Sequence, residues 1–400
     1  MSDHPPMHET TRVSPGETGS SVVGPRGPRI GENETARLNF EYDPLPLRVI
    51  FGIGTADRSL VGALDDLMVR RVAVIVGKSE QSLARRLVAS FSERVVGMFT
   101  DVRPHVPVEV ADAARGAVAR WGADAVLSIG GGSTTGTAKA VALRTGLPIV
   151  AIPTTYAGSE VTPVWGLTEG GLKTTGTDRR VLPRVVIYDP ALTATLPPTL
   201  STASGLNAVA HCVEAFWGPR ANPVTSLMAA EGLTALATGL PGVVRDPSDL
   251  EARSGVLYGA WLAGTVFATA GSGLHHKICH VLGGAYDLPH AETHAVVLPH
   301  VTALVARSLP DVDARVTAAL GAPASLPAAA ALATLARSLN APTSLREIGL
   351  SEDELATATR LVADQVSSWS PADIEALLAA AWRGEMPLTP APEMSVSHHG

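Results

Sequence analysis

The 400-residue sequence is poor in charge, in cysteine and in long apolar runs. Charged residues make up 17% of it and the formal net charge is -7 at pH 7. A negative balance without any run of Lys or Arg argues against general nucleic-acid binding and against a polybasic membrane contact. An anionic ligand would therefore need a local positive or neutral pocket.

The two cysteines, Cys212 and Cys279, form no Cys-x-x-Cys pattern, and each lies beside a histidine. We expect free thiols in a reducing cytoplasm. Cys212 directly follows His211 and could act as a nucleophile, but a small buried apolar residue is the commoner role of a free cysteine.

No stretch of 18 uninterrupted apolar residues occurs, and the N-terminal residues lack the basic start and apolar core of a secretory signal. The longest candidate, 318–336, contains Gly321, Pro323 and Pro327. We interpret it as an alanine-rich helix of a soluble bundle. The sequence thus predicts a cytoplasmic protein without a membrane partner.

Length and 46% hydrophobic content permit two domains with separate cores. Residues 1–36 are rich in Gly, Pro, Ser and Thr, which predicts a disordered tail. Residues 37–196 are predicted to form an α/β dinucleotide-binding domain of Rossmann type and 197–388 an all-α substrate domain. A flexible tail is expected at 389–400.

The predicted α/β domain alternates β-branched runs with amphipathic segments, which is typical of a mostly parallel sheet. The predicted strands are Val72–Val76, Ala125–Ile129, Ile149–Ile152 and Val185–Tyr188, and the predicted helices are Glu80–Phe91 and Val110–Trp121. After Pro197 and Pro198 the pattern changes to Ala- and Leu-rich helical segments.

A glycine triplet follows one of these strands. Gly130, Gly131 and Gly132 precede Ser133 and Thr134, and a helix is predicted from Thr137 to Arg144. Bare backbone and free N–H groups at a helix start favour a pyrophosphate there. Lys139, one turn later, is expected to reach a ribose or phosphate oxygen.

Two further glycine positions bear on the cofactor. Gly52 and Gly54 could approach the same ligand or could simply form a turn. Strand 72–76 ends in Gly77 and Lys78, without the acidic residue that NAD-specific folds often carry there. The sequence therefore predicts that NADPH is accepted and does not exclude NADH.

Histidines are concentrated in the helical half. Asn207 and His211 share one helix face, as do His276 and His280, and His290 could close the site. Imidazoles bind divalent metals, but a carboxylate usually completes the set and Asn207 supplies no charge. Three histidines can still hold zinc, so metal-bound and metal-free pockets both remain open at this point.

From about residue 40 to 388 the sequence resembles the iron-containing alcohol dehydrogenase family. The resemblance rests on FGIGT at 51–55, GGGSTTGTAKA at 130–140, AIPTTYAGSEVTPVWG at 151–166, TTGTDRRVLPRVVIYDP at 174–190, SGLNAVAHCVEA at 204–215 and HHKICHVLGGAYDLPHAETHAVVLPH at 275–300. It implies a fold like that of dehydroquinate synthase. The HHKICH and AETH phrases resemble the branch that reduces the C=C bond of the dicarboxylate maleylacetate to 3-oxoadipate during aromatic degradation.

In metal-dependent relatives the ligands are an Asp and three histidines, which the resemblance places at Asn207, His211, His276 and His290. His280 corresponds to a non-ligand histidine near the nicotinamide and is a plausible proton donor. The Asn is typical of the maleylacetate branch, whose members work without metal. The resemblance therefore implies NADH or NADPH, no metal, and a homodimer.

The charge of the substrate gives a second reason for an amide at Asn207. An Asp there would repel a substrate carboxylate, by roughly 3 kcal/mol at a distance of about 5 Å and an effective dielectric near 20. A bound metal would also offset that repulsion. We expect the four histidines to bind the carboxylates or enolate. Lys277 and Arg179 are weaker candidates for pairing with substrate charge.

The resemblance also implies cofactor contacts for Thr154, Thr155 and Ser159, for which structural turns are the alternative. Two rival functions stay open. The first is a metal-dependent alcohol dehydrogenase or aldehyde reductase on the same fold. The second is a nucleotide-sensing scaffold that lost the chemistry.

Overall fold

The computed structural model describes residues 38–170 and 172–387. The predicted tails at 1–36 and 389–400 lie outside this part of the chain. Within it, an α/β region precedes a region of helices, so the predicted fold class is confirmed.

The α/β region is built on a six-stranded parallel sheet of order β1-β8-β5-β4-β2-β3. The strands are β1 (Arg48–Phe51), β2 (Val72–Val76), β3 (Val95–Phe99), β4 (Ala125–Gly130), β5 (Ile149–Pro153), β6 (Val164–Glu169), β7 (Leu172–Thr177) and β8 (Val185–Tyr188). The helices of this region are α1 (Thr55–Asp66), α2 (Gln81–Val88), α3 (Val108–Trp121) and α4 (Gly132–Thr145). Because helices cover both faces, β2, β4 and β5 are fully buried.

The four predicted strands are confirmed, while β1, β3 and the antiparallel hairpin of β6 and β7 were not predicted. β3 is an edge strand in which a Cβ on Gly97 would lie 2.2 Å from the Trp121 ring, so the strand requires glycine. The hairpin is rich in Thr and β7 is largely exposed. The hairpin has no continuous apolar run of the kind that identifies a buried strand, and Gly97 interrupts the run in β3.

Two helix predictions need correction. The predicted helix Glu80–Phe91 is α-helical only over α2, and a 3-10 segment, Ala89–Arg94, follows with Phe91 out of helical geometry. The predicted continuous helix at 318–336 is wrong, because the chain turns at Gly321, where φ is 65°, and the next helix begins only after Pro327. Glycine at positive φ and proline at a helix start are both ordinary helix boundaries.

The second half of the described chain contains helices and no strand. They are α5 (Pro198–Ala215), α6 (Pro223–Arg245), α7 (Leu250–Ala270), α8 (Leu274–Tyr286), α9 (His290–Ala306), α10 (Pro310–Ala319), α11 (Ala328–Ser338), α12 (Glu352–Gln365) and α13 (Pro371–Arg383). Among the described residues, α6 alone is long and apolar enough to cross a membrane. It packs against α5 and α7, which is the position of a core helix.

The two regions meet where the loop after β5 packs on α7. A Cβ on Gly264 would lie 2.5 Å from the carbonyl oxygen of Gly158, so this close backbone contact requires glycine. Nearby, the buried Arg253 donates to the carbonyl oxygens of Leu196 and Pro247 and to the Tyr156 hydroxyl. These contacts hold the nucleotide half and the helical half in one arrangement.

Candidate active site

The glycine triplet forms the start of α4, five residues earlier than predicted. Gly130 has a φ of 146°, and a Cβ on Gly131 would lie 2.8 Å from Cγ2 of Thr155. The Thr154 N–H donates to the Gly130 carbonyl at 3.2 Å, which brings the loops after β4 and β5 together. No side chain caps α4. The half-buried Gly132 and Ser133, with the buried Thr134, therefore offer free N–H groups to an anion.

Lys139 does not have the predicted role, because its ammonium group is buried and already bonded. It donates to the carbonyl oxygens of Ser159, Thr162 and Val164 at 2.6 to 2.8 Å. Burial lowers the pKa of Lys139 to about 7, while the nearby Glu160 carboxyl opposes that shift. Lys139 thus fixes the loop that carries Ser159 and has no donor left for a ribose or phosphate.

The glycine pair before α1 forms a structural turn. Gly52 and Gly54 both have positive φ, and the buried Asp189 accepts hydrogen bonds from the N–H groups of Gly54 and Ala56. This carboxylate already occupies the start of α1. Of the two alternatives left open by the sequence, the structure favours the turn.

The corner after β2 holds an acidic residue that the sequence argument overlooked. Lys78 and Ser79 are exposed, as a phosphate contact would require. However, Oε2 of Glu80 lies 2.7 Å from the position of a Cβ on Gly77, so its carboxylate folds over that glycine. A carboxylate at this corner can accept hydrogen bonds from a ribose and would repel a 2′-phosphate.

Three helices bring the histidines together. Asn207 and His211 lie on α5, His276 and His280 on α8, and His290 begins α9. The rings of His211 and His276 stack with centroids 5.1 Å apart, and Phe267 of α7 stacks on His211 at 4.5 Å. Because Phe267 lies one turn beyond Gly264, the cluster adjoins the loops of the nucleotide half.

Glu214 orients His276, and the sequence argument did not identify it. One of its carboxyl oxygens accepts the backbone N–H of His275 at 2.8 Å, and the other bonds to Nδ1 of His276. Burial raises the pKa of Glu214, an effect that these backbone donors at the start of α8 oppose. The second nitrogen of His276, Nε2, is buried and has no partner among the described residues.

His275 and His294 were also missed. Both are buried, and Nε2 of His275 lies 2.8 Å from Nδ1 of His294. With His276 they form the compact group, since ring nitrogens of the three all lie within 4.8 Å of one another. The spacing rule could have found His294, because it lies four residues after His290 on the same helix face.

The rim of the site carries His280, His290 and a lysine from the hairpin. Both histidines are exposed at the rim, yet the surrounding protein lowers the pKa of His280 and lowers that of His290 to about 4. Desolvation is the main cause of both shifts. The positive charge of Lys173 contributes to both, and His280 and His105 also contribute to the shift of His290. Lys173 pairs with Thr168 across the hairpin, and the Thr168 hydroxyl bonds to the His105 carbonyl. The hairpin therefore brings positive charge close to the rim.

The two cations predicted to bind substrate lie elsewhere. Lys277 is exposed on α8, one residue past His276 and three before His280. Arg179 lies in the turn after the hairpin, 74% exposed, with its guanidinium 3.8 Å from the Asp43 carboxylate. The contacts of the described residues do not join Arg179 to the histidines.

The centre of the site is a cluster of uncharged polar side chains, the polar cluster. Burial lowers the pKa values of His211, His276 and His294 well below the usual range, so these rings are neutral at neutral pH. Of the buried polar atoms that lack partners among the described residues, four belong to this site, namely Oδ1 of Asn207, Nδ1 of His211, Nε2 of His276 and Nε2 of His294. Unpaired buried polar atoms are costly, so together they indicate a site for a polar ligand.

The donor set does not fit the metal site of the metal-dependent relatives. The carboxylate position is an amide, and the Glu214 carboxylate is bonded to Nδ1 of His276. In the compact group, His275 and His294 are bonded to each other. An ion beside Asn207 would therefore have only neutral ligands, and an ion in the compact group would have to compete with an existing hydrogen bond.

Comparison with known proteins gives a consistent assignment. Residues 46–190 match the family model for iron-containing alcohol dehydrogenase, and 201–382 match that for the C-terminal part of the Fe-containing alcohol dehydrogenase family. Maleylacetate reductase of Sphingobium indicum is 47% identical over 88% of this chain and 100% of its own length.

Solved structures agree. The crystal structure of maleylacetate reductase from Rhizobium sp. strain MTP-10005 is 44% identical, with a TM-score of 0.83 over 87% of this chain and 99% of that one. Sulfoacetaldehyde reductase from Bifidobacterium kashiwanohense, solved with NAD+, shares the fold at 23% identity, with a TM-score of 0.78 over 86% of this chain and 99% of that one. The chain belongs to the iron-containing alcohol dehydrogenase family, and within it to the group of the maleylacetate reductases.

Proposed function

We propose that this chain reduces the conjugated C=C bond of maleylacetate to give 3-oxoadipate, using NADH or NADPH and no metal. The observation that carries the proposal is the polar cluster, in which Asn207 and three histidines have buried polar atoms without partners among the described residues. A dianion would be repelled by a carboxylate at that position, whereas an amide and neutral imidazoles accept it. The relatives at 43 to 47% identity that are named maleylacetate reductases support the same substrate.

The dinucleotide supplies the hydride. Its pyrophosphate would bind the free N–H groups of Gly131, Gly132 and Ser133 at the start of α4, where the helix dipole favours negative charge. Thr154 and Thr155 flank this loop and would position the adjoining part of the cofactor. Lys139 contributes by holding the backbone that follows these threonines, through the carbonyl oxygens of Ser159, Thr162 and Val164.

The hydride adds to the carbon β to the ketone, and the π electrons move to leave an enolate oxygen. Neutral hydrogen-bond donors of the polar cluster, which are buried from water, stabilise this oxygen. The α-carbon then takes a proton, which restores the ketone. We assign the proton donation to His280 because it lies at the rim, where solvent can return a proton to its ring. The lowered pKa of His280 makes the protonated ring a stronger acid toward the α-carbon.

Substitution of His280 by Ala tests that role. We expect a large loss of kcat with little change in the dissociation constant of NADH, because His280 lies apart from the glycine loop. Steady-state kinetics with fluorescence titration of NADH measures both quantities. Wild-type kcat in this variant would remove His280 from proton transfer.

Product identification tests the reaction itself. Purified protein is mixed with freshly generated maleylacetate and either reductant, and the products are separated by chromatography. We expect equimolar 3-oxoadipate and oxidised cofactor, with no comparable oxidation of simple alcohols. Turnover of alcohols without turnover of maleylacetate would instead favour a metal-dependent alcohol dehydrogenase.

The cellular location, the oligomeric state and the partners of the enzyme are part of the same proposal. We place it in the cytoplasm, as a homodimer, without a nucleic-acid or membrane partner. The net charge of -7 and the two free, buried cysteines support this setting.

A further inference from the structure

Two histidines outside the predicted set are placed where they can act on the substrate. His275 and His294 have no exposed surface, and a hydrogen bond of 2.8 Å joins Nε2 of His275 to Nδ1 of His294. Nε2 of His294 is buried and has no partner among the described residues. A buried imidazole with one bonded and one free nitrogen is oriented by the first and available to a ligand through the second.

The His294 ring lies between the buried and the rim histidines. Its centroid is 4.8 Å from that of His276 and 4.4 Å from that of His290. The free Nε2 atoms of His276 and His294 and the free atoms of His211 and Asn207 belong to one group of neighbouring side chains. His294 thus belongs to the polar cluster itself, although the predicted ligand positions do not include it.

The environment of His275 determines which ring carries the shared proton. Because the two ring nitrogens lie 2.8 Å apart, one of them donates and the other accepts. The remaining neighbour of His275 is the thiol of Cys279, whose sulfur lies 3.9 Å from Nδ1 and 3.7 Å from Nε2. A thiol is a poor acceptor for a buried N–H, so the hydrogen of His275 is better placed on Nε2, where His294 accepts it. The hydrogen of His294 then lies on Nε2, the ring nitrogen that has no partner among the described residues.

We propose that His294 is a catalytic residue whose neutral Nε2–H donates a hydrogen bond to the enolate oxygen, and that His275 is a positioning residue that fixes this tautomer. The proposal rests on the proposed reduction of a conjugated C=C bond. Hydride addition to the β-carbon forms the C–H bond and shifts the electron pair of the C=C bond toward the carbonyl oxygen. His294 stabilises that oxygen without transferring its proton, and the α-carbon is protonated separately.

The kinetic test compares His294→Leu, which removes the donor, with His294→Gln, which keeps an N–H donor on a side chain of similar length. We expect kcat to fall about a hundredfold in the Leu variant, with KM for NADH unchanged and part of the loss restored in the Gln variant. His300→Gln is the matched control, because His300 lies on the same helix, buried and outside the polar cluster. A kcat within threefold of wild type for His294→Leu would overturn the proposal.

A spectroscopic test does not depend on the variants folding. In wild-type protein labelled with 15N-histidine, we expect the His294 ring to be protonated at Nε2 and not at Nδ1, and His275→Leu should give a mixture of tautomers. A ring protonated at Nδ1 in the wild type would overturn the proposal. If wild-type protein fails to reduce maleylacetate, the proposed function fails, and the tautomer measurement still decides the assignment of His275 and His294.

Discussion

At the scale of single residues, the charge of the polar cluster depends on an amide at Asn207 and on a carboxylate at Glu214 that is already paired. Glu214 binds His276 at Nδ1, away from its free nitrogen, while the amide oxygen of Asn207 remains unpartnered. The sequence predicted Asn207 and two of the buried site residues, His211 and His276, from helical spacing. It could not predict Glu214, because a carboxylate three residues after His211 is equally compatible with an exposed helix face.

The charge argument predicts the effect of Asn207→Asp. A carboxylate about 5 Å from a substrate carboxylate costs roughly 3 kcal/mol, so we expect KM for maleylacetate to rise about a hundredfold. KM for NADH should change little. Steady-state kinetics at fixed ionic strength measures both values, and an unchanged KM for maleylacetate would refute the electrostatic account of Asn207.

The charge of Lys173 should assist substrate binding at the rim. Because the side chain is exposed, we expect Lys173→Met to raise KM for maleylacetate only by roughly threefold to fivefold. Lys173→Arg keeps the charge and should stay close to wild type. If Lys173→Met has the same KM as the wild type before salt is added, Lys173 has no part in binding, even if added salt raises the wild-type KM.

Cofactor choice should depend on Glu80. Replacing it with Gln removes the carboxylate that lies over Gly77, and so removes repulsion of a 2′-phosphate. We expect the ratio of kcat/KM for NADPH to that for NADH to rise on the order of tenfold. A ratio that stays constant would show that the carboxylate does not face the adenosine ribose.

At the scale of elements, the strand-to-helix turn before α4 was predictable and the hairpin was not. Glycines after an apolar strand have few structural uses, so the loop at Gly130 could be located from sequence, although α4 begins before the predicted Thr137. Lys139 was misread because its distance along the helix gives no information on which carbonyl oxygens surround it. The strands β6 and β7 have a weak apolar pattern, and Lys173 was missed along with them.

The close packing of this turn predicts the effect of Gly131→Ala. The new methyl group would lie 2.8 Å from Thr155 and would intrude where the pyrophosphate approaches, so we expect KM for NADH to rise at least about tenfold. Gly62→Ala is the control, since nothing lies within 4 Å of that position in α1. It should leave KM unchanged and stabilise the fold by about 0.5–1 kcal/mol. Equal cofactor affinity in both variants would contradict the assigned loop.

At the scale of the whole molecule, the contact of Gly158 with Gly264 joins the nucleotide loops to α7, and Phe267 of α7 leads to His211. The order of sheet and helices follows from the sequence pattern. The contact between them does not, because it depends on two glycines 106 residues apart whose backbones meet.

Buried neutral histidines make the fold sensitive to acid. Burial lowers the pKa of His300 to about 4, below its value of about 6.5 in an unfolded chain. The unfolded state therefore binds the proton first, and stability is lost as the pH falls from about 6.5 to about 4. We expect Tm to fall over this range and to fall less in His300→Gln. An identical pH dependence of Tm in both proteins would argue against a neutral, buried His300.

The most direct test of the account is the turnover of maleylacetate by protein from which metal has been removed. Iron and zinc are quantified in the same sample whose NADH consumption is recorded, before and after dialysis against a chelator. We predict far less than one metal ion per chain and an unchanged kcat. Activity that disappears with the chelator and returns with stoichiometric iron or zinc would contradict a reaction carried by Asn207 and neutral histidines alone.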